Sequence, residues 1–391
     1  MKKRLIAAAA AVLSVGMLLS ACGAPEAAAP AAAAPAAAPA AEAPAAEAPA
    51  PAAEAPAEKP YIAIISKGFQ HQFWQTVLMG SEQAAKDYNV EITFDGPASE
   101  SEISVQIDQL NAVLAKNPAA LCLAALDTES VTSQLNDAKA KNIPVIGFDS
   151  GVPNAPEGSI WSTASTDNFA AGELAADEMF KIPEIAEAIK AATPEAPIII
   201  GAMSQDATSA SVTGRTEGFL SKMYALADGV NAGNVAITGH DKYVKASGSG
   251  NVAVEINMLI PASTNITDCQ TTAQGMLAKE GLKAVFCSNE ATVAGILSAT
   301  TDGQDLDKAN GKYKDIIVVG FDAGANQKNA VRNGWFYGAV TQDPYMIGYY
   351  AVELAYKAIN GETLEPIVDT GCRFYTAANM DDAAIAPLLY D

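Results

Sequence analysis

Residues 144–151 read PVIGFDSG, and residues 317–324 read IVVGFDAG. Each segment is a short apolar run that ends in Gly-Phe-Asp and is followed by a small residue and a glycine. Such runs are typical of buried parallel strands, and the polar group follows the point where the strand ends. The repetition predicts two similar α/β halves. Each presents an aspartate, Asp149 or Asp322, at the carboxyl edge of its sheet, where ligands bind in such folds.

Apolar runs alternate with amphipathic stretches on both sides of these two segments. Residues 61–66 read as a strand, and residues 73–88 carry apolar side chains at helical spacing. The same order of strand and helix returns in residues 198–226 and 283–300. This alternation predicts parallel, doubly wound sheets with right-handed crossovers. The predicted fold class is therefore α/β, with two Rossmann-like lobes.

The first 60 residues predict a leader followed by a spacer. Residues 1–21 have the charged start and short apolar run of a secretory signal, which is too short to span a membrane. The end of this run, LSAC at 19–22, resembles the lipobox of bacterial lipoproteins, which implies that Cys22 is acylated. An ordinary signal peptide with an incidental Cys22 is the alternative. Residues 22–60 are mostly Ala and Pro and cannot bury a core, so we predict a disordered spacer.

Composition argues against several classes of function. Asp and Glu number 45 against 24 Lys and Arg, and a chain with a net charge of −21 does not attract nucleic acid. The chain has two histidines and no nucleophile elbow, phosphate-binding loop or metal-binding spacing. We therefore predict no cofactor, no metal and no enzymatic activity, although Asp149 and Asp322 could in principle form an acid/base pair. A disulfide between Cys269 and Cys287 stays open as an alternative to free thiols.

The loop after the first strand carries side chains that suit a polyol. Residues 67–74 read KGFQHQFW. Aromatic rings can cover the C–H face of a sugar while polar side chains bind its hydroxyls. Asp149 and Asp322 can each accept hydrogen bonds from two neighbouring hydroxyls. The alternatives are that Phe73 and Trp74 are core anchors and that the aspartates cap turns or helices.

The order of these motifs resembles the ribose/allose/galactose-type periplasmic sugar-binding proteins of bacterial ABC transporters, over essentially all of residues 61–391. Besides the first loop and PVIGFDS, the matching segments are TDN at 166–168, RTEGF at 215–219, VFCSNE at 285–290, VVGFDA at 318–323 and VTQDP at 340–344. The resemblance implies a type I periplasmic binding fold, with two lobes joined by a three-crossover hinge. The expected lobes are 61–163 plus 344–367, and 168–341 plus 370–391.

The resemblance also implies a set of site residues. Phe73 and Trp74 would sandwich the sugar ring, and Asp149 would bind hydroxyls from the same lobe. The second lobe would contribute either Arg215 or Thr213 as a cationic or polar ligand. The ligand-binding residues predicted in this way are Lys67, His71, Phe73, Trp74, Asp149, Arg215, Asn289, Asp322 and Gln342. We further expect Lys67 to form a salt bridge with a site carboxylate.

The function implied is that of an extracytoplasmic solute-binding lipoprotein of an ABC importer. Its lobes would close on a neutral monosaccharide, a pentose or hexose, and present it to the transmembrane permease subunits. Ser150 stands where ribose-binding relatives have arginine, which favours a neutral ligand. A nucleoside or a furanose-like signal molecule is the alternative ligand. We expect a monomer that contacts the membrane only through its lipid and binds no nucleic acid, and a chemoreceptor is left open as a further partner.

Overall fold

A computed structural model describes residues 58–390, which form two α/β lobes. The predicted leader, the lipobox with Cys22 and nearly all of the predicted spacer lie outside these residues. The strands are β1 (Tyr61–Ile65), β2 (Glu91–Asp95), β3 (Ala120–Leu123), β4 (Val145–Phe148), β5 (Ser162–Ser165), β6 (Ile198–Met203), β7 (Val235–Thr238), β8 (Val254–Leu259), β9 (Leu282–Cys287), β10 (Ile317–Phe321), β11 (Gly338–Gln342), β12 (Ile367–Asp369) and β13 (Cys372–Tyr375). The helices are α1 (Gln72–Asp87), α2 (Ile103–Ala115), α3 (Thr132–Ala140), α4 (Asn168–Phe180), α5 (Pro183–Ala191), α6 (Ala210–Val230), α7 (Ile266–Leu277), α8 (Glu290–Ala299), α9 (Ala325–Arg332) and α10 (Pro344–Ile359).

Each lobe is built on one sheet. The first sheet has the strand order β12-β5-β4-β3-β1-β2, and every neighbouring pair in it is parallel. The second sheet has the order β13-β11-β10-β9-β6-β8-β7 and is parallel except for the antiparallel pair of β11 and β13. This architecture confirms the predicted α/β class with two Rossmann-like lobes.

The chain passes between the lobes three times within residues 58–390. The first passage joins β5 to α4, the second joins β11 to α10, and the third joins β12 to β13. The three passages form the expected three-crossover hinge. β5 ends at Ser165 and β12 at Asp369, so each strand runs two residues beyond the limit expected for the first lobe.

Helices cover both faces of the first sheet. Ile62 and Ile64 of β1 pack in one core cluster with residues of α1 and α10, whereas Ala63 and Ile65 pack in another cluster with residues of α2 and α3. Alternate residues of a strand point to opposite faces, so a strand buried on both faces reads as a continuous apolar run. This explains why β1, β3 and β4 show no polar alternation in the sequence.

Close packing of α4 against α6 fixes the position of Arg215. A Cβ atom at Gly172 would lie 2.0 Å from the backbone oxygen of Arg215, and one at Gly218 would lie 2.1 Å from that of Phe169. Only glycine allows the two backbones to approach this closely. Asn168, in the first turn of α4, is thereby placed beside the Arg215 side chain.

Two further features concern cysteines and membrane contact. Cys122, Cys269, Cys287 and Cys372 are free thiols, so the disulfide between Cys269 and Cys287 left open by the sequence is not formed. Within residues 58–390, no helix combines the length and the apolar character needed to cross a bilayer.

Candidate functional site

A central cavity between the two lobes collects groups from the carboxyl ends of strands in both sheets. Its lining residues are Lys67, His71, Phe73, Trp74, Glu100, Asp149, Val212, Arg215, Asn289, Glu290, Asp322 and Gln342. All nine residues predicted from the sequence are in this set. Glu100, Val212 and Glu290 were not predicted as site residues.

The two repeated Gly-Phe-Asp segments place equivalent aspartates on opposite sides of the cavity. Asp149 and Asp322 have positive φ angles of 52° and 77°. The Asp149 N–H donates to the oxygen of Ala164 at 3.0 Å, and the Asp322 N–H donates to that of Val340 at 2.7 Å. In each lobe, the chain leaves its strand in a left-handed turn that is tied to the neighbouring strand. This turn directs both carboxylates into the cavity.

The first lobe pairs Lys67 with two carboxylates. Lys67 Nζ lies 3.0 Å from Asp149 Oδ2 and 3.9 Å from Glu100 Oε2, and it donates to Ser211 Oγ at 3.0 Å. Burial alone would lower the pKa of Lys67, but Asp149 and Glu100 hold the pKa above its usual value. The expected salt bridge between Lys67 and a site carboxylate is confirmed.

Glu100 is a site residue that sequence reasoning missed. Its Oε1 accepts a hydrogen bond from Trp74 Nε1 and its Oε2 accepts one from Gln205 Nε2, both at 2.8 Å. Burial alone would raise the pKa of Glu100, but Lys67, His71 and these two hydrogen bonds lower it below the usual value. Glu100 lies in the irregular segment between β2 and α2. No periodic pattern in this segment predicts which way its side chain points.

The second lobe holds Arg215 in a network of hydrogen bonds. Its Nε and Nη2 donate to Asn168 Oδ1 at 3.1 and 2.8 Å, and its Nη1 donates to the backbone oxygen of Ser288 at 2.9 Å. The guanidinium lies 3.8 Å above the Phe321 ring, with Nη1 at 3.9 Å from Asp322 Oδ1. Arg215 is therefore the residue that lines the cavity.

Thr213, the alternative to Arg215, does not line the cavity. Its hydroxyl donates to the backbone oxygens of Ser209 and Ala210 within its own helix. Of the two positions, Arg215 is the one that lines the cavity, and its contact with a ligand stays a prediction.

The Gln342 and Asn289 side chains are already engaged in the second lobe. Gln342 Nε2 donates to Asp322 Oδ1 at 2.8 Å. Asn289 caps α8 by accepting from Thr292 N–H, and its amide nitrogen donates to Gln205 Oε1. Both residues therefore hold their neighbours in place, as well as lining the cavity.

Glu290 brings a second carboxyl group beside Asp322. Burial and the proximity of Asp322 raise its pKa to about 8. Its Oε2 accepts from the Phe73 N–H of the first lobe at 3.4 Å and lies 3.8 Å from His71 Nδ1. Because the pKa lies above neutrality, Glu290 is mostly a protonated acid at pH 7 and can donate a hydrogen bond.

The aromatic pair differs from the arrangement that the resemblance implies. Phe73 and Trp74 are in edge-to-face contact, with ring centroids 5.1 Å apart and an interplanar angle of 89°. Trp74 also meets Phe148 edge-to-face at 6.2 Å and is almost fully buried. Two rings that contact each other at right angles leave no slot between them. The pair therefore forms one wall of the cavity, and a sandwich of the sugar between Phe73 and Trp74 is not the geometry found.

The lobes are closed on each other around the cavity. The Thr208 hydroxyl donates to the backbone oxygen of Leu126 at 3.0 Å on one side. On another side, Thr264 N–H donates to Ser101 Oγ at 2.9 Å, and Ala325 N–H donates to Gln72 Oε1 at 2.8 Å. The central cavity consequently has a volume of only about 20 Å³. A monosaccharide needs more space than this, so the side chains that line the cavity must move to admit one.

One buried acceptor among the cavity-lining residues has no donor within the described part of the chain. Gln342 Oε1 accepts no hydrogen bond, whereas Asp149 Oδ2 is held by the Lys67 ammonium at 3.0 Å. Leaving a buried acceptor without a donor is costly. Gln342 Oε1 therefore marks a position that a ligand hydroxyl group would satisfy.

The fold and the site together define a two-lobed binding protein, in which groups from both lobes surround one small ligand. A model of the periplasmic binding protein domain matches residues 62–363, and the chain belongs to this family. This confirms the family that the order of motifs indicated.

Several individual proteins are similar over most of the chain. The ribose import binding protein of Haemophilus influenzae is 25% identical over 78% of this chain and 87% of its own length. A solved structure described as an ABC transporter, LacI family transcriptional regulator from Brachyspira murdochii is 38% identical, with a TM-score of 0.70, over 85% of this chain and 99% of its own. An Agrobacterium radiobacter solute-binding protein in complex with D-arabinose is 28% identical, with a TM-score of 0.67, over 86% of this chain and all of its own.

Proposed function

We propose that this chain is an extracytoplasmic solute-binding lipoprotein of an ABC importer. It captures a neutral monosaccharide, a pentose or hexose, between its lobes and presents the closed form to the permease. The observation that carries the proposal is the set of buried acceptors from both lobes, on Asp149, Asp322 and Gln342, that line one cavity, where Gln342 Oε1 has no donor within the described residues. Such acceptors suit the hydroxyl groups of a polyol.

The charges of the site support a neutral ligand. Lys67 is paired with Asp149, and the donors of Arg215 are directed to Asn168 and Ser288. Arg215 also lies 3.9 Å from Asp322, so the lysine and the arginine of the described lining each already face a carboxylate, which disfavours a sugar acid or a phosphate. Similar proteins support the sugar class, since they include ribose import binding proteins and a solute-binding protein from Agrobacterium vitis with bound D-fucose.

Closure is the functional step, and no covalent chemistry is involved. Only the closed state lets Asp149 of the first lobe and Asp322 of the second contact the same small molecule. The site carboxylates serve as hydrogen-bond acceptors, and the sugar leaves unchanged.

A thermal-shift screen of the purified protein tests the ligand. The panel contains pentoses, hexoses, inositols and nucleosides, and a ligand at a hundredfold excess over its Kd should stabilise the protein by about 2.7 kcal/mol. A shift with one monosaccharide that is absent in Asp149→Asn supports the proposal, and the exposed Asp381→Asn serves as the matched control. A thermal shift with nucleosides alone, or with no compound of the panel, would refute the proposal that the ligand is a monosaccharide.

The anchor is tested separately through Cys22. The wild-type protein should incorporate labelled palmitate and sediment with membranes, because acyl chains hold a protein at the lipid surface. Cys22→Ala should lose the label and appear in the soluble fraction. Unchanged labelling of the variant would contradict acylation at Cys22.

A further inference from the structure

A second cavity lies beside the central one, and we call it the hinge-side cavity. It is lined by Asp149, Gly151, Val152, Pro153, Thr163, Ser165, Thr166, Asp167, Asn168, Phe169, Ala210, Ser211, Gly214, Ile367 and Asp369. These residues come from both lobes and from the first of the three passages between them. Its volume is about 440 Å³, against about 20 Å³ for the central cavity. Small-molecule sites typically have volumes of about 300–1,000 Å³, so the larger space for a ligand lies beside the central cavity.

The wall between the two cavities is thin and polar. Asp149 lines both cavities. Ser211 lines the hinge-side cavity and accepts a hydrogen bond from Lys67, which lines the central one. Likewise, Asn168 lines the hinge-side cavity and accepts a hydrogen bond from Arg215, which lines the central one. Because Lys67 and Ser211 belong to different lobes, their part of the wall exists only when the lobes are closed. In the open form, a sugar that carries a substituent can enter with the substituent already on the hinge side of this wall. Closure of the lobes then encloses the sugar and its substituent together.

The lining of the hinge-side cavity fits a neutral group with an apolar face. Phe169 and Ile367 are large apolar side chains that are 44% and 68% exposed. Asp167 Oδ1 accepts from Ala170 N–H, and Asp369 Oδ1 accepts from two backbone N–H groups, which leaves the Oδ2 atoms as the acceptors that a ligand would meet. The lining set includes three aspartates and no lysine or arginine, which disfavours an anionic group.

We propose that the protein binds neutral glycosides of its sugar as well as the free sugar. The sugar unit occupies the central cavity, and the second sugar unit or other neutral aglycone occupies the hinge-side cavity against Phe169. This inference rests on the proposed function, because it takes the central cavity as the monosaccharide site. It adds a second subsite and widens the substrate class to glycosides.

Calorimetric titration of the full-length protein tests the second subsite. The probes are D-ribose, D-arabinose and D-fucose, each as the free sugar and as both anomers of its methyl and phenyl glycosides. One phenyl glycoside should bind at least about tenfold more tightly than its free sugar, because burial of an aromatic ring against Phe169 contributes free energy that the free sugar lacks. Phe169→Ala should remove most of this gain and leave the affinity for the free sugar within about twofold.

A second variant narrows the hinge-side cavity. A Cβ at Gly214 meets nothing closer than Asn168 Cβ at 3.4 Å, so Gly214→Ala adds a methyl group beside the cavity in ordinary van der Waals contact. It should weaken the glycoside about threefold and change the affinity for the free sugar by less than this. Ile266→Ala, an exposed isoleucine on α7 outside both cavities, is the matched control and should change neither affinity.

The outcomes separate this inference from the proposed function. If free sugars bind and no glycoside binds more tightly, the second subsite is wrong while the function stands. The second subsite is equally wrong if a glycoside binds more tightly but its gain is insensitive to Phe169→Ala. If no sugar of the thermal-shift panel and none of these glycosides binds, the proposed function itself fails, and the subsite fails with it.

Discussion

The two lobes bring the same kinds of charged group to the central cavity but balance them differently. Each lobe contributes one cation, one strand-end aspartate and one glutamate. These sets are Lys67, Asp149 and Glu100 in the first lobe and Arg215, Asp322 and Glu290 in the second. Lys67 lies within ion-pair distance of both of its carboxylates, whereas Arg215 approaches only Asp322, at 3.9 Å.

The consequence is clearest in the two glutamates. Glu100 has a lowered pKa because Lys67 and His71, together with two hydrogen bonds, outweigh its burial. Glu290 has a pKa raised to about 8 because burial and Asp322 act on it without a compensating cation. A repeated strand-and-aspartate motif therefore yields an ionised set in one lobe and a partly protonated set in the other. The direction in which each cation points its donors decides the difference.

The largest expected effect is the loss of the cation of the first lobe. Lys67→Met leaves Asp149 and Glu100 buried without their partner, and removal of one member of a buried ion pair costs about 3–5 kcal/mol. We expect the free energy of unfolding, measured by urea denaturation at pH 7, to fall by about this amount. Lys181→Met removes an exposed pair with Glu178 and should have no measurable effect. A loss below about 1 kcal/mol for Lys67→Met would show that the first lobe is not balanced by this ion pair.

The next effect is the pH dependence that Glu290 contributes. Its pKa is about 8 in the folded state and about 4.5 in the unfolded state, so the folded protein holds this proton more tightly. Stability from this group is fully present below about pH 4.5 and is lost as the pH rises to 8. By pH 7 the loss is about 3–4 kcal/mol, since pH 7 lies about 2.5 pH units above the unfolded pKa and each pH unit in this range costs about 1.4 kcal/mol.

Glu290→Gln tests this assignment. The variant keeps the hydrogen-bonding shape but cannot ionise, so its stability relative to wild type should increase between pH 5 and pH 8. Urea denaturation at several pH values measures the difference. The matched substitution in the first lobe, Glu100→Gln, should not show this increase, because the pKa of Glu100 is lowered. Equal pH profiles for the two variants would show that the pKa values of Glu100 and Glu290 do not differ in the way described.

A smaller effect is expected at the contact that joins the two sets. Gln205 of the second lobe donates to Glu100 of the first, and hydrogen bonds to charged groups contribute about 1.5–3 kcal/mol. Gln205→Ala should therefore weaken affinity for the sugar found in the screen by about tenfold, as measured by calorimetry. Gln270→Ala removes a hydrogen bond to Ser298 within the second lobe and is the matched control. If both variants lose affinity equally, the contact does not act through closure.

The smallest effect concerns Ser211. Ser211→Ala removes one hydrogen-bond acceptor of Lys67 but leaves the ion pair with Asp149. We expect a loss of about 1 kcal/mol or less in the free energy of unfolding. A loss as large as that of Lys67→Met would mean that the hydroxyl, and not Asp149, is the main partner of Lys67.

Much of the fold and of the site could be predicted from the sequence, because the relevant signals are local. The buried strands are continuous apolar runs, and the site aspartates follow them directly, as in PVIGFDSG. Glu100 and Gln205 could not be found in this way, because each follows its strand in an irregular segment and its partners are distant in sequence, including the contact that joins the two across the closed lobes. The edge-to-face geometry of Phe73 and Trp74 likewise depends on Phe148 and Glu100, which are distant in sequence.

The positive φ angles of Asp149 and Asp322 have a practical consequence for mutational scanning of this cleft. Aspartate and asparagine tolerate the left-handed region, whereas alanine placed there is strained. An alanine scan would therefore add a backbone penalty to the loss of each carboxylate and would exaggerate the importance of both positions. Asparagine at the same positions keeps the local conformation and isolates the contribution of the negative charge.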